Sequence, residues 1–138
     1  MAFQAKSTFI NLPVKDLQKT MDFFGKIGFE FNLQFTDDKA TCMIINNTTF
    51  AMLLVEPYFQ TFIKKELADA ARTCEVLVSL AADSREHVDE IVNKALAAGA
   101  TPSSDPQDHG FMYQWGFQDI NGHIWEVFHM ADPSSGQA

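Results

Sequence analysis

The chain carries one structural plan twice, and no other feature of its 138 residues restricts the fold as strongly. In the first copy, STFINLPV (7–14) reads as a strand leading to Asp16, which is placed to cap a helix. Leu17, Met21, Phe24 and Ile27 then recur at helical spacing, with Phe23 widening the stripe, until Gly28 stops the helix. FEFNLQF (29–35) alternates strictly, with Phe29, Phe31, Leu33 and Phe35 on one face, and predicts a half-buried strand. ATCMII (40–45), a turn at Asn46-Asn47 and TFAMLLVE (49–56) complete a hairpin. The order is β-α-β-β-β.

The second copy begins with CEVLVSLAA (74–82) as a strand, with Asp83 or Ser84 capping the next helix. Val88, Ile91, Val92, Ala95 and Leu96 form its apolar stripe and Gly99 ends it. TPSSDPQDHG (101–110) is rich in breakers and reads as mostly loop. FMYQWGFQD (111–119) and HIWEVFHM (123–130) form the last hairpin, turned by Ile120-Asn121-Gly122. Asp16 matches Asp83 in this plan, and Gly28 matches Gly99. The expected organisation is therefore α+β: module one over about 7–56, a linker helix at 57–73, module two over about 74–130, and a polar, frayed tail at 131–138.

Charge and composition narrow the function. A formal charge of −8, with no clustering of Lys or Arg, argues against binding nucleic acid or an anionic membrane. The longest clean apolar run, FAMLLV (50–55), is too short to span a bilayer, and MAFQAKSTFI lacks a signal-peptide core. Cys42 and Cys74 make no disulfide framework and no metal-type pair, so they read as reduced, buried filler in a cytoplasmic protein.

Two segments resemble a known family in the right order and at the right spacing. NLPVKDLQKTMDFFGKIGFEF (11–31) is similar to the first strand, helix and second strand of the vicinal oxygen chelate superfamily. DINGHIWEVFHM (119–130) is similar to its closing aspartate-x-x-glycine-x-x-x-glutamate hairpin. The superfamily contains glyoxalases, bleomycin-resistance proteins and extradiol dioxygenases. The resemblance, over about 7–130, implies two βαβββ modules forming a curved, cup-shaped mixed sheet with helices on the convex side, pairing into a homodimer. It also implies a small organic ligand in the cup and, in many members, a divalent metal. The family's four ligand positions fall here at Phe9, Met52, Glu75 (with Val76 as the alternative) and Glu126. Phe cannot coordinate a metal, and a thioether suits oxygen-preferring divalent ions poorly.

Glu126 is the leading functional residue, because Ile124 and Phe128 share its strand face. A charge in that setting costs roughly several kcal/mol unless a cation, hydrogen bonds or water meet it. It is assigned as the catalytic candidate, with Glu75 and Glu126 as the metal candidates of an incomplete site. The ligand-pocket candidates are Phe9, Asn11, Met52, Glu75, Tyr113, Trp115 and Glu126. His123 and His129 have the parity opposite to Glu126 and should face the helix side or the sheet edge. His109 falls in the loop, and His87 on the polar face of the second helix. The function expected first is a small-molecule binder with a degenerate metal site and no cofactor. The alternative is a divalent-metal-dependent lyase or isomerase of the glyoxalase kind using Glu126 and Glu75. An extradiol-dioxygenase-like oxidoreductase comes third.

Overall fold

The computed structural model describes residues 1–131, so most of the tail expected at 131–138 lies outside the described residues. The chain divides into two compact units, Met1–Ala68 and a second that begins at Asp69. Each has its own sheet.

In the first unit, β1 (Thr8–Val14) leads into α1 (Leu17–Ile27). Asp16 caps α1 by accepting a hydrogen bond from the Lys19 amide at 3.0 Å, which satisfies one of the open donors of the first turn. β2 (Glu30–Asn32), β3 (Ala40–Ile44) and β4 (Thr49–Val55) follow, and the sheet order is β1-β4-β3-β2. β1 runs parallel to β4, and the other pairs are antiparallel. Leu12 and Val14, with Ala51, Leu53 and Met43, bury one face of this sheet. Phe23, Phe24 and Ile27 of α1 complete the core.

Two expectations fail in this unit. The alternating segment 29–35 keeps strand geometry only over Glu30–Asn32, and Leu33–Phe35 is a 3₁₀ turn. The Asn32 side chain accepts a hydrogen bond from the Gln34 amide, and the Thr36 hydroxyl donates to the Asn32 carbonyl. These local bonds compete with the ladder and pull the chain out of it. Leu33 and Phe35, expected to be half-buried, are 73% and 64% exposed. The linker helix at 57–73 shrinks to α2 (Glu56–Gln60), with Pro57 in its first turn. Beyond it the chain turns at once, and the Gln60 side-chain Nε2 donates to the Lys65 carbonyl at 2.8 Å.

The second unit repeats the plan. β5 (Leu77–Ala81) starts three residues later than expected, α3 (Arg85–Ala97) follows, and two short strands, β6 (Thr101–Pro102) and β7 (Gln107–Asp108), interrupt the loop. β8 (Met112–Gln118) and β9 (Ile124–Met130) form the closing hairpin. The order β5-β9-β8-β6 reproduces that of the first unit, again with its first and last strands parallel. Ser84, not Asp83, caps α3, accepting from the His87 amide at 3.0 Å. His87 is half-buried, not solvent-facing, because its Nδ1 accepts from the Asp83 amide. Val88, Val92 and Ala95 of α3 are fully buried, as are Trp125, Val127 and Phe117 of the sheet. No helix among the described residues is long and apolar enough to cross a membrane.

Candidate functional site

The closing hairpin positions Glu126 through its neighbour. Asp119, itself buried, accepts hydrogen bonds on Oδ1 from the amides of Asn121 (2.8 Å) and His123 (3.0 Å). Its Oδ2 accepts from the Trp125 indole N–H at 2.9 Å. Burial holds the Asp119 carboxyl above its ordinary value, opposed by His123 and by these donors. One carboxylate thus ties the turn to the first residues of β9 and pins the Trp125 ring to the helix-covered face. Alternation then sends Glu126 to the other face.

On that face Glu126 is half-buried and lies in a row that crosses the sheet. Its parallel partner on β5 is Ser79, whose hydroxyl donates to Glu126 Oε1 at 3.1 Å. Its antiparallel partner on β8 is Gly116. The β9 backbone passes so close that a Cβ on Gly116 would lie 2.6 Å from the Trp125 carbonyl oxygen. Glycine is required there by that approach. The Ser103 hydroxyl oxygen crowds the same point, 3.2 Å from the virtual Cβ. Leu77, Ile124 and Phe128 flank the row, and Gln114 and Gln118 share its face. Glu126 Oε2 has no protein partner and Glu126 forms no ion pair among the described residues.

The first unit has a corresponding row. Asn11 precedes its helix cap by five residues, as Ser79 precedes Ser84, and Asn11 pairs with Met52, as Ser79 pairs with Glu126. Cys42 lies on the other side of Met52. Phe9 shares this face and stacks on Phe50 at 5.0 Å, while remaining 54% exposed. The Asn11 side chain makes no hydrogen bond among the described residues.

The remaining candidates fall elsewhere. Glu75 is exposed on a bend ahead of β5, four residues before Ser79, and takes no part in the pairing with β9. Tyr113 and Trp115 pair with His129 and Val127, so they lie on the face opposite Glu126. The Tyr113 hydroxyl donates to Asp89 on α3, and the Trp115 indole donates to the Ser104 carbonyl at 3.1 Å. His129 also has this parity, and its Nδ1 donates to the Ala82 carbonyl at 3.1 Å. Cys74 is exposed and Cys42 buried, where desolvation pushes the Cys42 thiol up. Sequence reasoning did not single out Ser79, Gly116 or Ser103. A glycine inside a strand pattern was the available signal for Gly116.

A separate cavity of about 240 Å³ opens at the start of α3, between Ser84, Arg85, Glu86, Phe111 and His129. Arg85 is committed there, forking onto Asp108 at 2.7 and 3.0 Å and lying 5.4 Å from the Tyr113 ring centre. This pair draws the Asp108 carboxyl down to about 2, with the Gly110 amide assisting. The bond to Asp89 is the main cause that pushes the Tyr113 phenol up to about 12. Because the folded value exceeds the unfolded one, this bond stabilises fully below about pH 10, and its contribution is lost as pH rises through about 12. In a spectrophotometric titration, Asp89→Asn should return the Tyr113 transition toward 10. An unchanged transition near 12 would contradict the assignment.

With the geometry in view, the comparisons give the class. The chain matches the Glyoxalase/Bleomycin resistance protein/Dioxygenase superfamily over residues 6–127, and it belongs to that family. The hypothetical protein SA1046 from S. aureus is 28% identical, with a TM-score of 0.77, covering 94% of this chain and 95% of that one. A glyoxalase-related enzyme from Fulvimarina pelagi is 17% identical with a TM-score of 0.78, covering 92% and 88%. TnmS3, an antibiotic binding protein from Streptomyces sp. CB03234, is 18% identical with a TM-score of 0.65, covering 95% and 99%. The last two likenesses concern the fold alone. Comparison with curated protein sequences returned no match.

The donor set does not fit the divalent metal common in this family. Within the second unit, Glu126 has serine, glycine and glutamine around it and no imidazole or second carboxylate on its face. The matching position of the first unit is Met52, beside Asn11 and Cys42. Hard divalent ions need several oxygen or imidazole ligands. No group of three His, Cys, Asp or Glu among the described residues is arranged to hold a metal.

Proposed function

We propose that the protein binds a small organic molecule on the Glu126 face, with no metal and no chemical turnover. The observation that carries this reading is the row Ser79–Glu126–Gly116. It combines a half-buried carboxylate oriented by one hydroxyl with a second carboxylate oxygen that has no protein partner among the described residues. Apolar neighbours on both sides suit the hydrocarbon part of a ligand. Phe9, Asn11 and Met52 form the corresponding row of the first unit, and the fold shared with an antibiotic binding protein is compatible with such a role. The protein acts in this reading as a cytoplasmic homodimer, which sedimentation of the purified protein would check.

Protein purified from metal-replete medium should carry under about a tenth of an equivalent of divalent metal, and added metals should give no thermal shift. The rival reading, a metal-dependent lyase or isomerase of the glyoxalase kind, draws on Glu126 as a proton-transferring carboxylate. It would prevail if metal-loaded protein turned over the hemithioacetal of methylglyoxal and glutathione and Glu126→Gln abolished that turnover.

A further inference from the structure

We infer that the cavity at the start of α3 is a second binding site, which takes a small uncharged aromatic molecule carrying an O–H or N–H donor. It is independent of the proposed function, because His129, which lines it, points to the opposite side of the second sheet from Glu126.

The space and its wall come first. The volume, about 240 Å³, falls short of the roughly 300–1,000 Å³ of drug-sized pockets, so the occupant is about one ring in size. Two hydrogen bonds fix one wall. The Arg85 guanidinium donates to the Gly110 carbonyl at 3.1 Å, and the Ala131 amide donates to the Phe111 carbonyl at 2.7 Å. Phe111, held between them, stays 60% exposed beside the cavity. An exposed ring on an anchored backbone suits stacking against a second ring.

The polar groups select what that ring must carry. Arg85 is committed to Asp108 and Gly110, and the Ser84 hydroxyl oxygen already accepts from the His87 amide. His129 differs. A carbonyl can only accept, so the 3.1 Å bond to Ala82 places a hydrogen on Nδ1 and, in the neutral ring, leaves Nε2 as an acceptor. Nε2 has no protein partner among the described residues. The ligand must therefore bring the donor. Glu86 adds a carboxylate to the same wall, so an anionic ligand would be repelled.

The test uses ¹⁵N-labelled full-length protein in EDTA, with phenol and anisole as probes that share a ring and differ in the donor. Phenol should shift the amides of Arg85, Phe111 and His129 together with the His129 Nε2 resonance. It should bind at least about three times more tightly than anisole, the share of one neutral hydrogen bond. In His129→Phe, checked for an unchanged fold by its spectrum, the two probes should bind alike, and Phe111→Ala, at an exposed position, should weaken both. Equal affinity of wild type for phenol and anisole overturns the inference. Absence of shifts at Arg85, Phe111 and His129 overturns it too, and leaves the reading of the Glu126 face standing wherever Ser79, Gly116 and Glu126 respond. Should His129→Phe lose its fold, Phe111→Ala decides: undiminished phenol binding there overturns the inference.

Discussion

Trp125→Ala is expected to destabilise the protein by about 3–5 kcal/mol, the range for truncating a fully buried large aromatic. Trp125 has no exposed surface. Its removal leaves a cavity in the core of the second unit and takes away the indole donor that meets Asp119 Oδ2. Trp125→Phe leaves a smaller cavity than Trp125→Ala, because a six-membered ring stays in the core, while the N–H is still lost. Its cost should fall below that of the Ala variant but still include about 1–3 kcal/mol for a buried acceptor left short of a partner. Urea unfolding of the three proteins gives both numbers. A loss under about 1 kcal/mol for Trp125→Ala would mean that this ring is not central to the core. Since a domain is stable by only about 5–15 kcal/mol, the Ala variant should lie near its unfolding threshold.

Gly122→Ala should cost about 2–5 kcal/mol, from two independent causes. Gly122 sits at φ 95°, where an L side chain is strained. An added Cβ would also lie 2.7 Å from the Ala70 carbonyl oxygen and 2.9 Å from its carbon. Backbone cannot swing aside as a flexible side chain can. Gly28→Ala is the control: its φ is 123°, but nothing lies within 4 Å of the added Cβ, so only the conformational part, about 1 kcal/mol, should appear. Equal losses at the two positions would remove the Ala70 contact from the explanation.

Much of the fold was legible because repetition made each half a check on the other. Asp16 and the Gly28 and Gly99 helix ends fell where the spacing put them, and the two sheets share one strand order. Parity also turned His123 and His129 from Glu126, and the His129–Ala82 bond agrees. The failures are of two kinds. Over 29–35 the alternation was real, but side-chain bonds from Asn32 and Thr36 outweighed it, and such bonds leave no periodic trace. For the site, alternation along one strand could not say which residues of neighbouring strands share its face. That depends on register: Ser79 and not Glu75 meets Glu126 on one side, and Gly116 and not Trp115 on the other. The carboxylate could be found from its own strand, whereas its partners required the pairing.

The central claim is that the Glu126 face takes an organic molecule without the help of a metal. A fragment set screened by ¹⁵N–¹H correlation spectra in EDTA, then with added Ni²⁺ or Mn²⁺, tests it most directly. The prediction is that fragments shift the amides of Ser79, Gly116 and Glu126 in EDTA and that the divalent ion adds nothing. Shifts at these amides that appear only once a divalent ion is present would contradict it.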